Sequence, residues 1–163
     1  MVREAGWWPS RPRPSVPAVL ALFLTTTGYR IVGLLHILAA IAAFGPLFIY
    51  PSMQRAGAAD AVARLHLRLV LPALTLSWVL GMGLVGMSKP EGSDEAVFKM
   101  SQTWIVLALI VWVVLMVVSW FLIRPALTDT SETARSRMAA GIGVTHLLLI
   151  VQLYLMIWKP GLS

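Results

Sequence analysis

Four long apolar blocks occupy most of this 163-residue chain, and no other feature of the sequence restricts its fold as strongly. A helix rising ~1.5 Å per residue needs about 20 apolar residues to cross a hydrocarbon core of ~30 Å, and each block supplies that length. A soluble domain of this size has too much surface for its volume to bury four such blocks. Apolar residues make up 58% of the chain and charged residues 12%. Soluble domains carry about 45–50% and about 25%, so lipid has to cover the excess. The fold class is therefore all-α: a four-transmembrane-helix bundle, an integral membrane protein, with spans near 29–50, 65–87, 103–123 and 139–158.

Residues 1–28 read as a separate tail before the 29–163 transmembrane domain. Arg3, Arg11 and Arg13 alternate with Pro9, Pro12, Pro14 and Pro17, and alternating proline cannot continue a helix. Ala18 to Leu24 is apolar but short, with no cleavage site after it, so it reads as an interfacial lead-in and not a removed signal.

The spans carry local expectations. Tyr29 and Tyr50 flank the first as interface anchors, and Pro51 ends it. Asp60 is placed to cap the helix leading into the second. Pro72 frees the Arg68 carbonyl and predicts a kink. Ala73, Ser77 and Gly81 recur every four residues there, a ridge of small residues for close helix packing. Span three is rich in Val, Ile and Leu, which predicts the largest lipid-facing surface. Asp129 and Glu132 have capping-box spacing before span four. Ala139, Ala140 and Gly143 predict tight packing near its start, and Lys159-Pro160-Gly161 stops it.

The formal net charge of +6 sits mainly on Arg in loops and at span ends. These residues read as headgroup anchors and topology determinants, so the partner is the bilayer and not nucleic acid. The positive-inside count is nearly tied: Arg55, Arg64, Arg68, Arg124, Arg135 and Arg137 flank the two odd loops, and Arg3, Arg11, Arg13, Arg30, Lys89, Lys99 and Lys159 lie on the other side, whose loop between spans two and three is net acidic, so the odd loops are expected to be cytoplasmic. With no Cys, disulfides, thiolate metal sites and Cys nucleophiles are excluded.

Gly81-Met-Gly83-Leu-Val-Gly86 matches a dinucleotide-binding GxGxxG literally, but that fingerprint needs a strand before it and a helix after it. Inside an apolar span the glycines read as packing. No Asp or Glu lies within any span, which counts against proton-coupled transport and carboxylate catalysis. Met82, Met87, Met116 and Met156 form no dense copper-binding cluster and read as flexible packing. Among the histidines, His66 lies at the start of span two and reads as an interfacial, solvated side chain. His36 and His146 are deeper. They fit either interhelical hydrogen bonding or haem ligation through a neutral imidazole. Counted from the span ends, the two differ in depth by ~10 Å, which disfavours both ligating one haem b.

The stretch from Arg30 through Leu35-His36, small residues, Gly45-Pro46 and Tyr50-Pro51 resembles the first helix of small bacterial four-helix integral membrane proteins of unknown function. More distantly it is similar to the HemJ-type protoporphyrinogen oxidases and the CopD copper-resistance proteins. The resemblance implies a bacterial cytoplasmic (inner) membrane location, and it would give the haem-linked role to His36. The Lys in a later span of the HemJ pattern has no counterpart here. Three functions follow as expectations. The first is a non-catalytic accessory or scaffold subunit of a larger membrane complex, with a membrane-protein partner or a second copy. The second is a haem b-binding redox protein using His36 and His146. The third is a small transporter or copper-handling protein.

Overall fold

The computed structural model describes residues 27–90, 94, 96–127, 129 and 131–161. The tail expectations for residues 1–26 lie outside them. The described chain is all helix, with no strand. Four helices are long and apolar enough to cross a membrane: α1 (Thr27–Arg55), α2 (Ala59–Gly86), α3 (Thr103–Ala126) and α4 (Glu132–Trp158). Between 22% and 33% of each apolar window is buried inside the bundle, so much of each apolar surface is left for lipid to cover.

The helices pack mainly as α1 on α2 and α3 on α4. Trp112 of α3 bridges the pairs by donating its indole N–H to the Leu74 carbonyl of α2 at 3.1 Å. The larger core lies toward the odd-loop end, built around Phe44, Leu47, Tyr50, Val62, Leu74, Leu115, Ile123 and Met138. A smaller cluster of Tyr29, Phe98, Trp104 and Ile105 lies at the opposite end.

Proline positions explain the irregular turns. α1 does not stop at Pro51. It tightens into a 3₁₀ segment, Gly45–Phe48, and continues as α-helix over Tyr50–Arg55. Pro51 sits in the first turn of that last piece, where its missing N–H has no intrahelical partner to lose. In α2, Pro72 is preceded by a π segment, His66–Val70, in which the Leu71 N–H reaches back to the His66 carbonyl. In α3, Pro125 follows a second π segment, Ser119–Ile123, in which the Arg124 N–H reaches back to Ser119. Each wide turn accommodates a proline that cannot close the normal ladder.

Several local expectations are corrected. The residue before α2 is Ala58, and Asp60 lies inside the first turn without capping it by a hydrogen bond. Its carboxylate there still faces the positive end of the helix dipole. The cap of α4 is Ser131, whose hydroxyl accepts the Ala134 N–H at 3.2 Å. Asp129 instead accepts from the Ser131 N–H at 2.8 Å and hydroxyl at 3.0 Å. Those bonds hold its carboxyl below the usual range. α3 is the most buried span and not the most lipid-exposed, at 33%. It sits between α2 and α4, and Ala108, Val111, Leu115 and Val118 line its inner face. Gly143 meets open space within 4 Å, and Ala139 and Ala140 are exposed. The close approach is at Gly141, where a Cβ would stand 2.8 Å from Ile123 Cγ1. The stop of α4 is as the sequence indicates: Lys159 takes φ 43° and its N–H bonds the Leu155 carbonyl.

Candidate functional site

The three histidines fall into three different environments. His36, on the inner face of α1, places Nδ1 2.8 Å from the backbone carbonyl of Ser77 on α2. A carbonyl only accepts, so Nδ1 carries the proton, and in the neutral ring Nε2 is left as an acceptor. The ring fits because residue 81 is glycine: a Cβ there would lie 3.2 Å from His36 Cε1. Ala73 and Ser77 are buried on the same face of α2. Along this stretch the ridge meets α1 of the same chain, with Val32 and Leu84 packed near Gly83 and Gly33. All three glycines of the GxGxxG match lie in continuous helix, so none forms a phosphate loop.

A partly open cavity of about 190 Å³ lies beside His36. Its walls are Trp78, Trp104 and Trp112, with Met82 and Met156 among the other apolar residues. Trp78 and Trp112 stack at 5.0 Å between ring centroids. Gln152 of α4 also lines the cavity, and its Oε1 is buried without a hydrogen-bond partner. A buried amide oxygen left unpaired in a low-dielectric interior is costly, so it marks where a polar group fits. Lys159 reaches the same cavity with Nζ 5.9 Å from the Trp104 ring. Burial lowers the pKa of its ammonium.

The terminal-side wall depends on Ser88, which is fully buried just past α2. Its hydroxyl accepts the Phe98 N–H at 3.1 Å, and its carbonyl accepts the Val97 N–H at 2.8 Å. This fastens the loop between α2 and α3 and sets Phe98 as part of the cavity lining.

His66 is not interfacial. It is fully buried, with Nε2 3.0 Å from Ser119 Oγ and Nδ1 3.3 Å from the Tyr50 hydroxyl. His66 and Ser119 each begin one of the two π segments, so the wide turns before Pro72 and Pro125 meet at this hydrogen bond. The serine–histidine pair resembles a nucleophile and base only in its spacing. Tyr50 and His66 have no exposed surface and Ser119 has 4%, so no substrate reaches it. It ties α1, α2 and α3 together at the odd-loop end.

His146 lies elsewhere again. Its ring packs on Phe48 at 4.2 Å and its Nε2 is buried without a partner. Phe48 is twelve residues beyond His36 on α1, on the order of 18 Å of helix rise. The two histidines therefore do not face a common group. Haem requires a separate test of fit. The His36 donor set suits a ligand, because an Nδ1–H held by a carbonyl leaves Nε2 free. The space does not suit a porphyrin: about 190 Å³ lies below the ~300–1,000 Å³ of ordinary ligand pockets. Among the described residues no three His, Cys, Asp or Glu side chains converge as metal ligands.

Sequence reasoning singled out His36 and, as a packing ridge, Ser77 and Gly81 beside it, but did not bring them together. Gln152 was visible only as one of several membrane polar groups. Trp112 and Trp78 had no signal beyond composition, and Ser88 had none. The equal spacing of Pro72 after His66 and of Pro125 after Ser119, six residues in each case, is a signal that could have indicated the buried pair. Compared with protein-family models, curated proteins and solved structures, the chain matches none of them.

Proposed function

We propose that this chain is a membrane-embedded binding protein that holds a small, ring-sized, largely apolar molecule between its helices. The observation that carries the reading is the cavity beside His36: three indoles make its wall, and Tyr29, His36, Ser77, Gln152 and Lys159 supply the polar part of its lining. An apolar cavity of ~150 Å³ is enough to take benzene, so about 190 Å³ is the size for one substituted six-membered ring. The accessory-subunit expectation drew in part on the packing ridge of Ala73, Ser77 and Gly81, along with a bulky face on span three and a Trp-containing tail. That ridge is occupied within the chain, and the reading above uses it instead to seat His36.

Photoaffinity labelling tests this. A benzene ring bearing a diazirine is irradiated with the full chain in lipid nanodiscs, and the adducts are mapped by mass spectrometry. Adducts are expected on Trp78, Trp112 and Met156, and they should disappear in Ala108→Phe, which fills the cavity wall. Adducts confined to lipid-facing residues such as Ile41, Phe121 and Ile150, unchanged by the filling substitution, would overturn the proposal.

For topology we propose a bacterial cytoplasmic membrane with the odd loops in the cytoplasm: the Lys and Arg counts of the two sides nearly balance, and the support is the all-Arg flanks of the odd loops against the net acidic loop between α2 and α3. The chain has no Cys, so single-cysteine accessibility reads this directly. Ala56→Cys should resist an impermeant reagent added outside intact cells, and Asp94→Cys should react.

A further inference from the structure

The hydrogen-bonding groups of the cavity specify more than size. His36 Nε2 is an acceptor, because Nδ1–H is already committed to the Ser77 carbonyl. Gln152 Oε1 is a second acceptor, buried and unpartnered. Two indole donors of the wall are already used: Trp112 N–H on the Leu74 carbonyl at 3.1 Å, and Trp104 N–H on Gln102 Oε1 at 3.1 Å. Tyr29, Ser77 and Lys159 also line the cavity, but Gln152 Oε1 is the lining atom left buried without a partner, and a ligand that satisfies it brings a donor. His36 Nε2 and Gln152 Oε1 disfavour a carboxylate on their part of the lining, and Lys159 disfavours an ammonium. A neutral hydroxyl meets both conditions. The stacked, nearly parallel Trp78 and Trp112 rings, 22° apart, offer a flat wall that favours an aromatic carrier for that hydroxyl.

We infer that the cavity takes a hydroxylated aromatic ring, with one ring O–H donating to His36 Nε2. This rests on the binding reading above and names its ligand class. The same ring chemistry occurs in the head of a prenylated hydroquinone and in a free phenol.

The test is displacement of the diazirine label from the full chain in nanodiscs, with concentrations corrected for partition into the lipid. p-Cresol and p-xylene have the same shape and differ by the O–H donor. p-Cresol is expected to displace the label at roughly tenfold lower concentration, the ratio one buried hydrogen bond supplies. In His36→Phe that preference should vanish. The wild-type chain gives a second readout that needs no variant: the ¹⁵N resonance of His36 Nε2 should move with p-cresol and stay with p-xylene. Equal displacement by the two rings, or a preference that persists in His36→Phe with an unmoved ¹⁵N resonance, overturns this inference and leaves the binding reading standing. Failure of every ring to displace the label overturns both. Hydroquinone with and without a decyl chain then separates the sources. A gain from the chain supports a prenylated quinol, and no gain supports a free phenol.

Discussion

Deleting the His66 ring is the sharpest structural test. A solvated interfacial histidine would tolerate almost any replacement, with changes near ±0.5 kcal/mol as at ordinary surface sites. The structure gives this ring no exposed surface and two hydrogen-bonding partners, Ser119 at 3.0 Å and Tyr50 at 3.3 Å. His66→Ala therefore removes a packed ring, a change that costs about 3–5 kcal/mol in a core that cannot collapse. His66→Phe keeps a packed ring, somewhat larger than imidazole, and loses the hydrogen bonds. Interhelical bonds in membranes average ~0.6 kcal/mol and reach ~1.7, so two of them place His66→Phe at about 1–2 kcal/mol. Ser119→Ala should cost less than either, and a double-mutant cycle with His66→Phe should give the coupling of the pair. Equilibrium unfolding in mixed micelles, with denaturing detergent added stepwise, measures all four. A cost below ~1 kcal/mol for His66→Ala would refute the buried cluster. Equal losses for His66→Ala and His66→Phe would show that packing of the ring does not contribute as argued.

Other predictions follow from single contacts. Gly141→Ala drives a Cβ to 2.8 Å from Ile123 Cγ1 and 3.3 Å from Leu122 Cβ, atoms close to the α3 backbone on buried or half-buried side chains, and should cost about 1–3 kcal/mol in the same assay. Gly143→Ala meets open space and should be neutral or stabilising by up to ~1 kcal/mol through helix propensity alone. Asp129 has a carboxyl pKa held below its ordinary 3.8 by the Ser131 bonds, so its contribution is present above that value and is lost as pH falls through the lower folded value. Amide exchange over the first turn of α4 should therefore accelerate in acid in the wild type and lose that pH step in Asp129→Asn. A reduced-minus-oxidised visible spectrum of the chain purified in mild detergent should show no b-type haem. A haem band lost in His36→Ala would reinstate the redox reading and overturn the size argument made from the cavity.

The fold was legible because its physics is coarse. Hydrocarbon thickness fixes span length, and four blocks of that length leave few alternatives to a bundle. Span ends were less legible. α1 runs to Arg55 and α4 begins at Glu132 because helices continue past the apolar block into polar turns, where hydropathy no longer reports them. Pro51 misled for a related reason: a proline in the first turn of a helix segment starts helix as readily as it ends it. The site was legible in part. His36 stands out as an ionisable group deep in an apolar span, which is costly to place without purpose. Gln152 and the indoles gain their meaning only from α2, α3 and α4 converging on α1. His66 was misjudged because its distance from the loop was taken as its depth. Its burial comes from Tyr50 and Ser119 on neighbouring helices, contacts that span counting does not contain.

The central claim is that a small ring binds inside the bundle beside His36, and methyl resonances test it most directly. The chain has eight methionines. Met82 and Met156 line the cavity, while Met53, Met116 and Met138 pack on or in the larger core at the other end. The full chain carrying ¹³C-methyl methionine in nanodiscs is titrated with toluene, and each methyl is assigned by substitution. The account predicts saturable shifts at Met82 and Met156, no change at Met53, Met116 and Met138, and loss of the shifts in Ala108→Phe. Shifts of equal size at all these methyls, or none at Met82 and Met156, would contradict it.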